Sequence, residues 1–249
     1  MSIVGESVGP RFALESWAAV AAGLSTQQQW LSWFKEPAPL ARDFSPELPW
    51  MPAGLRRRVS PLGRAALNVL AACQNTVSCP VVFASGYGDL GAVAGLFAQL
   101  HRDGSVSPMG FSLAVHNAAV GLYSIAREDH AMTTSVAARN DLAESAFFEA
   151  LGWLASGAAS VMVVCCDDPV PSIYRTKENE NDGFRYAWAC QLRAQSAGGF
   201  TLTAGAADAD MAARSRVEHP CLRVLEFLTG NERSALVSET GRYLWRRHA

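Results

Sequence analysis

Six cysteines and five histidines are the side chains here best suited to covalent or metal chemistry, and their spacing builds no obvious site. Cys73, Cys79, Cys165, Cys166, Cys190 and Cys221 contain no Cys-x-x-Cys pair and form no cluster with histidine. Adjacent Cys165 and Cys166 would point to opposite faces of a strand, a poor arrangement for holding one metal ion. The expectation is reduced, buried, structural thiols and no metal site. A Cys/His nucleophile pair would need a stabilised thiolate. Cys165 and Cys166 end an apolar run instead of opening a helix, where the dipole would lower a thiol pKa. His116 lies in an apolar helical stretch and is expected to be packed or to line a cavity. His101, His130, His219 and His248 fall in expected loops or at the end of the sequence and read as solvated.

The elements that must position these residues follow from hydrophobic period and breakers. A short strand is expected at residues 2–9 and a helix over 14–23 (LESWAAVAAG), closed by glycine. Residues 36–54 hold five prolines and no period, so they form a loop. In the helix that follows, Leu62, Ala65, Ala66, Val69, Leu70 and Cys73 share one face, after a Ser60-Pro61 start. Residues 80–85 (PVVFAS) form a strand buried on both faces, Gly86-Tyr87-Gly88 breaks it, and 90–100 is helical. From Ser107 to Asp168 come a loop, a buried helix, a strand, a second buried helix and the apolar strand VMVVCC. Residues 177–183 (KENENDG) are a polar loop. Residues 184–194 alternate like a half-exposed strand, and Gly198-Gly199 turns it into a hairpin with FTLTAG. Residues 206–216 are a loop, and 222–249 hold two helices, the second ending in Trp245-Arg246-Arg247-His248. Strands alternating with helices, plus one antiparallel pair, give an α/β class with a mixed sheet.

Composition limits the functional classes. The 249 residues are 49% hydrophobic and 18% charged, which suits a folded core and argues against disorder. A net charge of -2 gives no basic field for nucleic acid or an anionic membrane. The first residues lack a basic start followed by an apolar run, so no signal peptide is expected. The apolar stretch at 161–166 falls far short of the ~20 residues a spanning helix needs. A soluble cytoplasmic protein is the expectation. Mean hydropathy is slightly positive and seven tryptophans are spread along the chain, as an obligate partner surface would explain.

The ordered set RRRVSPLGRAAL, VVFASGYG, Ser107-Pro108, Asn117-Ala118-Ala119-Val120-Gly121 and Gly157 before VMVVCC resembles the N-terminal half of a β-ketoacyl synthase. The match runs from about residue 55 to 205 and more faintly to the start, where condensing enzymes place a strand and then a tryptophan-bearing helix. It implies a thiolase-like fold truncated to one half, as a single domain over 1–249 whose residues 206–249 form a divergent helical tail. In that family a short strand ends in a nucleophilic cysteine that opens the next helix. Here the strand is Thr133, Thr134, Ser135, Val136, Ala137, Ala138, and the chain continues Arg139-Asn140-Asp141. The nucleophile position falls on Asn140, whose delocalised amide cannot form a thioester. The family's two catalytic histidines, which stabilise the enolate and the oxyanion, belong to a C-terminal half that this sequence stops short of.

The resemblance is nearest to the short chain length factor-like proteins of aryl polyene and xanthomonadin-type pigment clusters. It implies a non-catalytic subunit that forms a heterodimer with an active ketosynthase through residues 133–138 and shapes its acyl tunnel in polyketide or fatty-acid-like synthesis. Met109, Gly110 and Phe111, with His116 and Asn117, are the implied gate and tunnel residues, where side-chain bulk would stop chain growth. No cofactor is implied, since substrate would ride the phosphopantetheine arm of a partner acyl carrier protein. Arg56, Arg57 and Arg58, or Arg246 and Arg247, are basic runs that either meet that carrier or are simply solvated. The alternatives are a stand-alone thioesterase or acyltransferase on the same scaffold, or a carrier-binding homodimer.

Overall fold

The computed structural model describes residues 9–73, 78–175, 183–205 and 215–249. The expected opening strand (Gly9 apart), the polar loop up to residue 182 and most of the 206–216 loop lie outside them. The described elements are β1 (Phe12–Ala21), α1 (Gln27–Lys35), α2 (Ala53–Arg56), α3 (Pro61–Cys73), β2 (Val81–Ala84), α4 (Leu90–Asp103), α5 (Pro108–Leu113) and α6 (Ala118–Arg127). They continue with β3 (Thr133–Val136), α7 (Leu142–Ala155), β4 (Val161–Asp167), β5 (Tyr186–Ala194), β6 (Gly199–Ala204), α8 (Pro220–Thr229), β7 (Ala235–Val237) and β8 (Tyr243–His248).

The eight strands form one mixed sheet in the order β3-β2-β4-β5-β1-β6-β8-β7. β3, β2 and β4 run parallel, and every pair from β4 through β5 to β7 is antiparallel. The period of two along each central strand sorts side chains into two cores. Val161, Val163 and Cys165 of β4 pack with α7 and α8, whereas Met162, Val164 and Cys166 pack with α3 and α6. A sheet covered on both faces explains why β2 and β4 are continuous apolar runs. All six cysteines are free and buried, and burial pushes the Cys165, Cys166 and Cys190 thiols well up.

Four sequence expectations change. Residues 14–21 lie in β1, a strand, and 22–23 turn, because the ladder with β5 overrides the helical preference of alanine, leucine and glutamate. The tryptophan-bearing helix therefore comes one element later, in α1, where Trp30 is buried and Trp33 packs edge-on against it. β5 is covered from Tyr186 to Leu192, not half-exposed. It does not form a hairpin with β6 either, since β1 lies between them. The end of the chain is helix α8 followed by the β7–β8 hairpin, so the second helix is absent and residues 222–249 are not a helical tail. Trp245 is the reason: on β8 it is fully buried, stacked edge-on against Phe147 at 4.8 Å.

Candidate functional site

Two regions carry the residues singled out by sequence. The first is the elbow between β3 and α7. β3 ends at Val136, so Ala137 and Ala138 lie in the connecting loop. Arg139 and Asn140 are exposed there, and Asp141 takes the left-handed conformation (φ 53°, ψ 41°) that starts α7. A non-glycine residue held there is the strained strand-to-helix turn on which nucleophile elbows are built. Yet the Asp141 carboxylate turns inward and is buried. It accepts the Thr240 backbone N–H at 3.2 Å and the Thr240 hydroxyl, with the Arg242 guanidinium 3.9 Å away. One turn into α7, buried Glu144 accepts the Trp245 indole N–H at 2.9 Å, and burial raises its carboxyl to about 7. The β7–β8 hairpin is thus fastened to the start of α7 through two carboxylates.

A cleft of ≈ 220 Å³ opens beside this elbow. On its other wall Asp167 accepts the Ser85 hydroxyl and the Gly86 N–H, both at 2.8 Å, while burial lifts its carboxyl to about 6. His219 sits at the start of α8 with its ring edge-on to Tyr186 at 4.6 Å. It is therefore not a solvated loop residue: burial and nearby Arg223 hold it down at about 4, so it is neutral at pH 7. Cys221 takes the Trp188 indole N–H at 3.3 Å and is buried. Among the described residues no group of three His, Cys, Asp or Glu side chains comes together as a metal site would require. Chemically the cleft offers protonatable carboxyls and a neutral imidazole, with an amide and a tied carboxylate where a thiol would be needed.

The second region is the open edge of the sheet. β3 pairs with β2 on one side and ends the sheet on the other. Between β2 and β3 lie α4 and α5, neither of which buries a single residue. Phe97 and Leu100 on α4, Met109 and Phe111 on α5, then Val115 and Met132 are all exposed, Phe111 at 67%. Ser107 caps α5 by accepting the Gly110 N–H at 3.2 Å. A Cβ at Gly110 would stand 3.2 Å from Leu96, so this glycine lets α5 approach α4. Asn117 starts α6 without a side-chain cap bond. His116 is set deeper, its ring edge-on to Phe83 at 5.5 Å. So Met109, Gly110, Phe111, His116 and Asn117 follow one another along one helical layer beside β2, separate from the elbow.

The basic runs part ways. Arg57 and Arg58 are exposed, whereas Arg56 donates to the Leu48 carbonyl at 3.3 Å. Arg247 is not a surface charge: its guanidinium bonds the Phe227 and Gly230 carbonyls at the end of α8, over the Phe200 ring at 4.7 Å. Sequence reasoning missed the Asp141–Thr240 and Glu144–Trp245 ties. Their partners lie 99 and 101 residues apart, and no local pattern announces them.

A half-sized mixed sheet between two helical layers, with a strained turn opening its central helix, defines a thiolase-like ketosynthase fold. Residues 30–246 match the family model described as beta-ketoacyl synthase, N-terminal domain, so the chain belongs to that family. The match extends through β7 and into β8, well past residue 205. No curated protein matches the chain. Among solved structures it is similar to a chain of the ketosynthase (ApeO) in complex with its chain length factor (ApeC) from Xenorhabdus doucetiae. That likeness has a TM-score of 0.74 at 23% identity and covers 96% of this chain and 99% of that one. It is also similar to the ishigamide ketosynthase/chain length factor, with a TM-score of 0.59 at 13% identity over 81% of this chain and 69% of that one. A third is a type II polyketide acyl carrier protein in complex with its ketosynthase bound to the hexaketide (AntDE:AntF), with a TM-score of 0.59 at 10% identity over 82% and 71%. No helix among the described residues is long and apolar enough to cross a membrane.

Proposed function

We propose that this chain is an acylation-inactive, chain length factor-like subunit that pairs with an active ketosynthase and forms part of the wall of its acyl tunnel. The observation that carries the reading is the elbow, where a nucleophile would stand on the turn before α7. That turn instead presents an exposed amide and a carboxylate fastened inward to Thr240. Neither group can hold an acyl thioester. The open edge of β3 and the uncovered apolar residues of α4 and α5 supply the pairing surface. A strand edge of this kind is a liability in an isolated chain and is normally covered. The size of the matched chain in the ketosynthase–chain length factor complex supports the same reading, since this chain spans 99% of it. The substrate would arrive as an acyl group on the phosphopantetheine arm of a carrier protein, with no cofactor held by this chain. Arg57 and Arg58 are exposed basic residues available to an acidic carrier.

A stand-alone acyl-thioester enzyme is disfavoured by the thiols, all buried, with burial driving those on β4 and β5 away from the thiolate state. The test is intact-protein mass spectrometry. The purified chain, alone and co-expressed with a candidate partner ketosynthase, is incubated with acyl carrier protein substrate. The expected adduct sits on the ketosynthase only, and the two chains co-elute in size-exclusion chromatography. An acyl adduct on this polypeptide in the absence of a ketosynthase overturns the proposal.

A further inference from the structure

The layer formed by α5 and α6 hides a small cavity that the pairing surface alone does not explain. It measures ≈ 20 Å³ and is walled by Val59, Phe83, Leu113, Val115 and His116, with Arg58 also on its lining. A space of this size admits one water-sized group. His116 is held in place there by the Phe83 ring and by Gly88. A Cβ at Gly88 would stand 3.0 Å from the imidazole Cδ2, and its φ of +61° further favours glycine. Nε2 of His116 is buried and has no hydrogen-bond partner among the described residues.

An unpaired buried ring nitrogen costs on the order of 1–3 kcal/mol, which leucine or phenylalanine at this position would avoid. Two of the other polar side chains lining the cavity, Ser60 and Asp89, are committed nearby, while Arg58 is exposed at its rim. The Ser60 hydroxyl oxygen accepts the Gly63 N–H at 3.1 Å, and the Asp89 carboxylate accepts the Ala92 N–H at 3.0 Å. Burial lowers the His116 pKa, so at neutral pH the ring is uncharged and offers one donor and one acceptor. That combination suits a hydroxyl or a carbonyl. Val115, 50% exposed, directly precedes His116 and lines the cavity with Leu113 of α5, so the cavity borders the apolar face described above.

We infer that His116 is a specificity residue of the acyl tunnel, and that its cavity receives the distal end of the growing chain when that end carries a hydroxyl or carbonyl group. The inference rests on the subunit reading of the previous section. A site built to hydrogen-bond a substrate group rejects the analogue lacking it, because the buried partner is then left unpaired. A methyl-ended chain of the same length fills the cavity and leaves Nε2 orphaned. A hydroxyl-ended chain satisfies it. Bulk elsewhere in the tunnel sets how long the chain grows, whereas His116 sorts chains by the chemistry of their tips.

The test uses the co-purified complex with its ketosynthase and a matched pair of probes, the N-acetylcysteamine thioesters of ω-hydroxyoctanoate and nonanoate. Size-exclusion chromatography is run first on every variant. Failure of the wild-type chain to co-elute overturns the subunit reading and leaves nothing for this inference to rest on. With the complex formed, the wild type is expected to favour the hydroxyl-ended probe by about tenfold or more in kcat/KM. His116→Leu should bring the ratio to near one by losing the hydroxyl-ended substrate, while still co-eluting. His116→Asn, which keeps a donor and an acceptor, should retain most of the preference. A wild-type ratio near one, or a ratio unchanged in His116→Leu, overturns the inference while leaving the pairing intact. Equal losses for both probes in His116→Leu also overturn it, since that pattern marks a packing residue.

Discussion

The elbow before α7 and the face built by α4, α5 and β3 are opposites in the same half-fold. At the elbow the buried carboxyls have partners within the chain. Asp141 is fastened to Thr240, Glu144 to Trp245 and Asp167 to Ser85 and Gly86. At the sheet edge α4 and α5 hold no fully buried residue, and Phe97, Met109 and Phe111 are exposed among the described residues. A reaction centre needs reactive groups left available, while an interface needs apolar surface left available. The uncovered apolar face is the feature that fits the proposed pairing role.

The comparison breaks most readily at α5. Phe111→Glu and Met109→Glu change side chains that already face solvent in the isolated chain, so folding should be untouched. Each should weaken association with the proposed ketosynthase partner on the order of 100-fold, through a charge desolvated in the proposed interface. Ile173→Glu, at 70% exposure in the turn after β4, is the control and should pair normally. Isothermal calorimetry reads all three, and wild-type affinity in Phe111→Glu would remove α5 from the interface. Next in size is Asp141→Ala. It breaks the tie to Thr240 and places a Cβ residue without side-chain help in the left-handed region. A loss of about 2–4 kcal/mol in urea unfolding is expected, with no change in any acylation readout.

Glu144 sharpens the comparison through pH. Its carboxyl is raised to about 7 from an ordinary 4.5, so the folded state holds a proton that the unfolded state has released. Stability from this group is fully present below about pH 4.5 and is lost as pH rises through about 7. Asp167, raised to about 6, acts with the same sign over a lower window. These two carboxyls together should make the chain more stable at pH 5 than at pH 8, against a smaller opposing contribution from His219, whose folded state resists protonation below its ordinary 6.5. Glu144→Gln, which still accepts from Trp245, should recover on the order of 2–3 kcal/mol at pH 8 and flatten that dependence. Thermal melts across this range decide it. A profile unchanged in the glutamine variant would show the carboxyl to be ionised throughout.

What was legible in the sequence divides along the same line. The parallel half of the sheet was readable because β2 and β4 are buried on both faces and α3 shows its apolar stripe in a single helix. The antiparallel half was not. β1 is rich in alanine, which fits either state, and it becomes a strand only because β5 lies beside it from Phe12 to Ala21. Likewise YLWRRH carries helix-compatible residues and forms β8 because Trp245 finds Phe147 and Glu144 a hundred residues away. Asn140 and its missing thiol were visible in a row of three letters. The inward turn of Asp141 was not, since Thr240 belongs to a hairpin the sequence disguised as a helix. His219 looked solvated for the same reason: its burial comes from Tyr186 and Phe184 across the sheet.

The smallest expected effect is the most discriminating. Asn140 is exposed on the elbow, one residue before Asp141, and makes none of the ties that hold the hairpin. Asn140→Ala should change stability by less than about 0.5 kcal/mol, as surface substitutions away from special features do. Product formation by the complex should stay within about twofold of the wild type, because the proposed subunit contributes no chemistry from this position. Steady-state turnover measured beside Asp141→Ala separates the two neighbours. If the elbow only anchors the hairpin, the buried residue costs stability and the exposed one costs nothing. A large loss of turnover in Asn140→Ala, with stability and co-elution intact, would mean that the amide touches a reacting group, and the contrast between a closed elbow and an open face would fall.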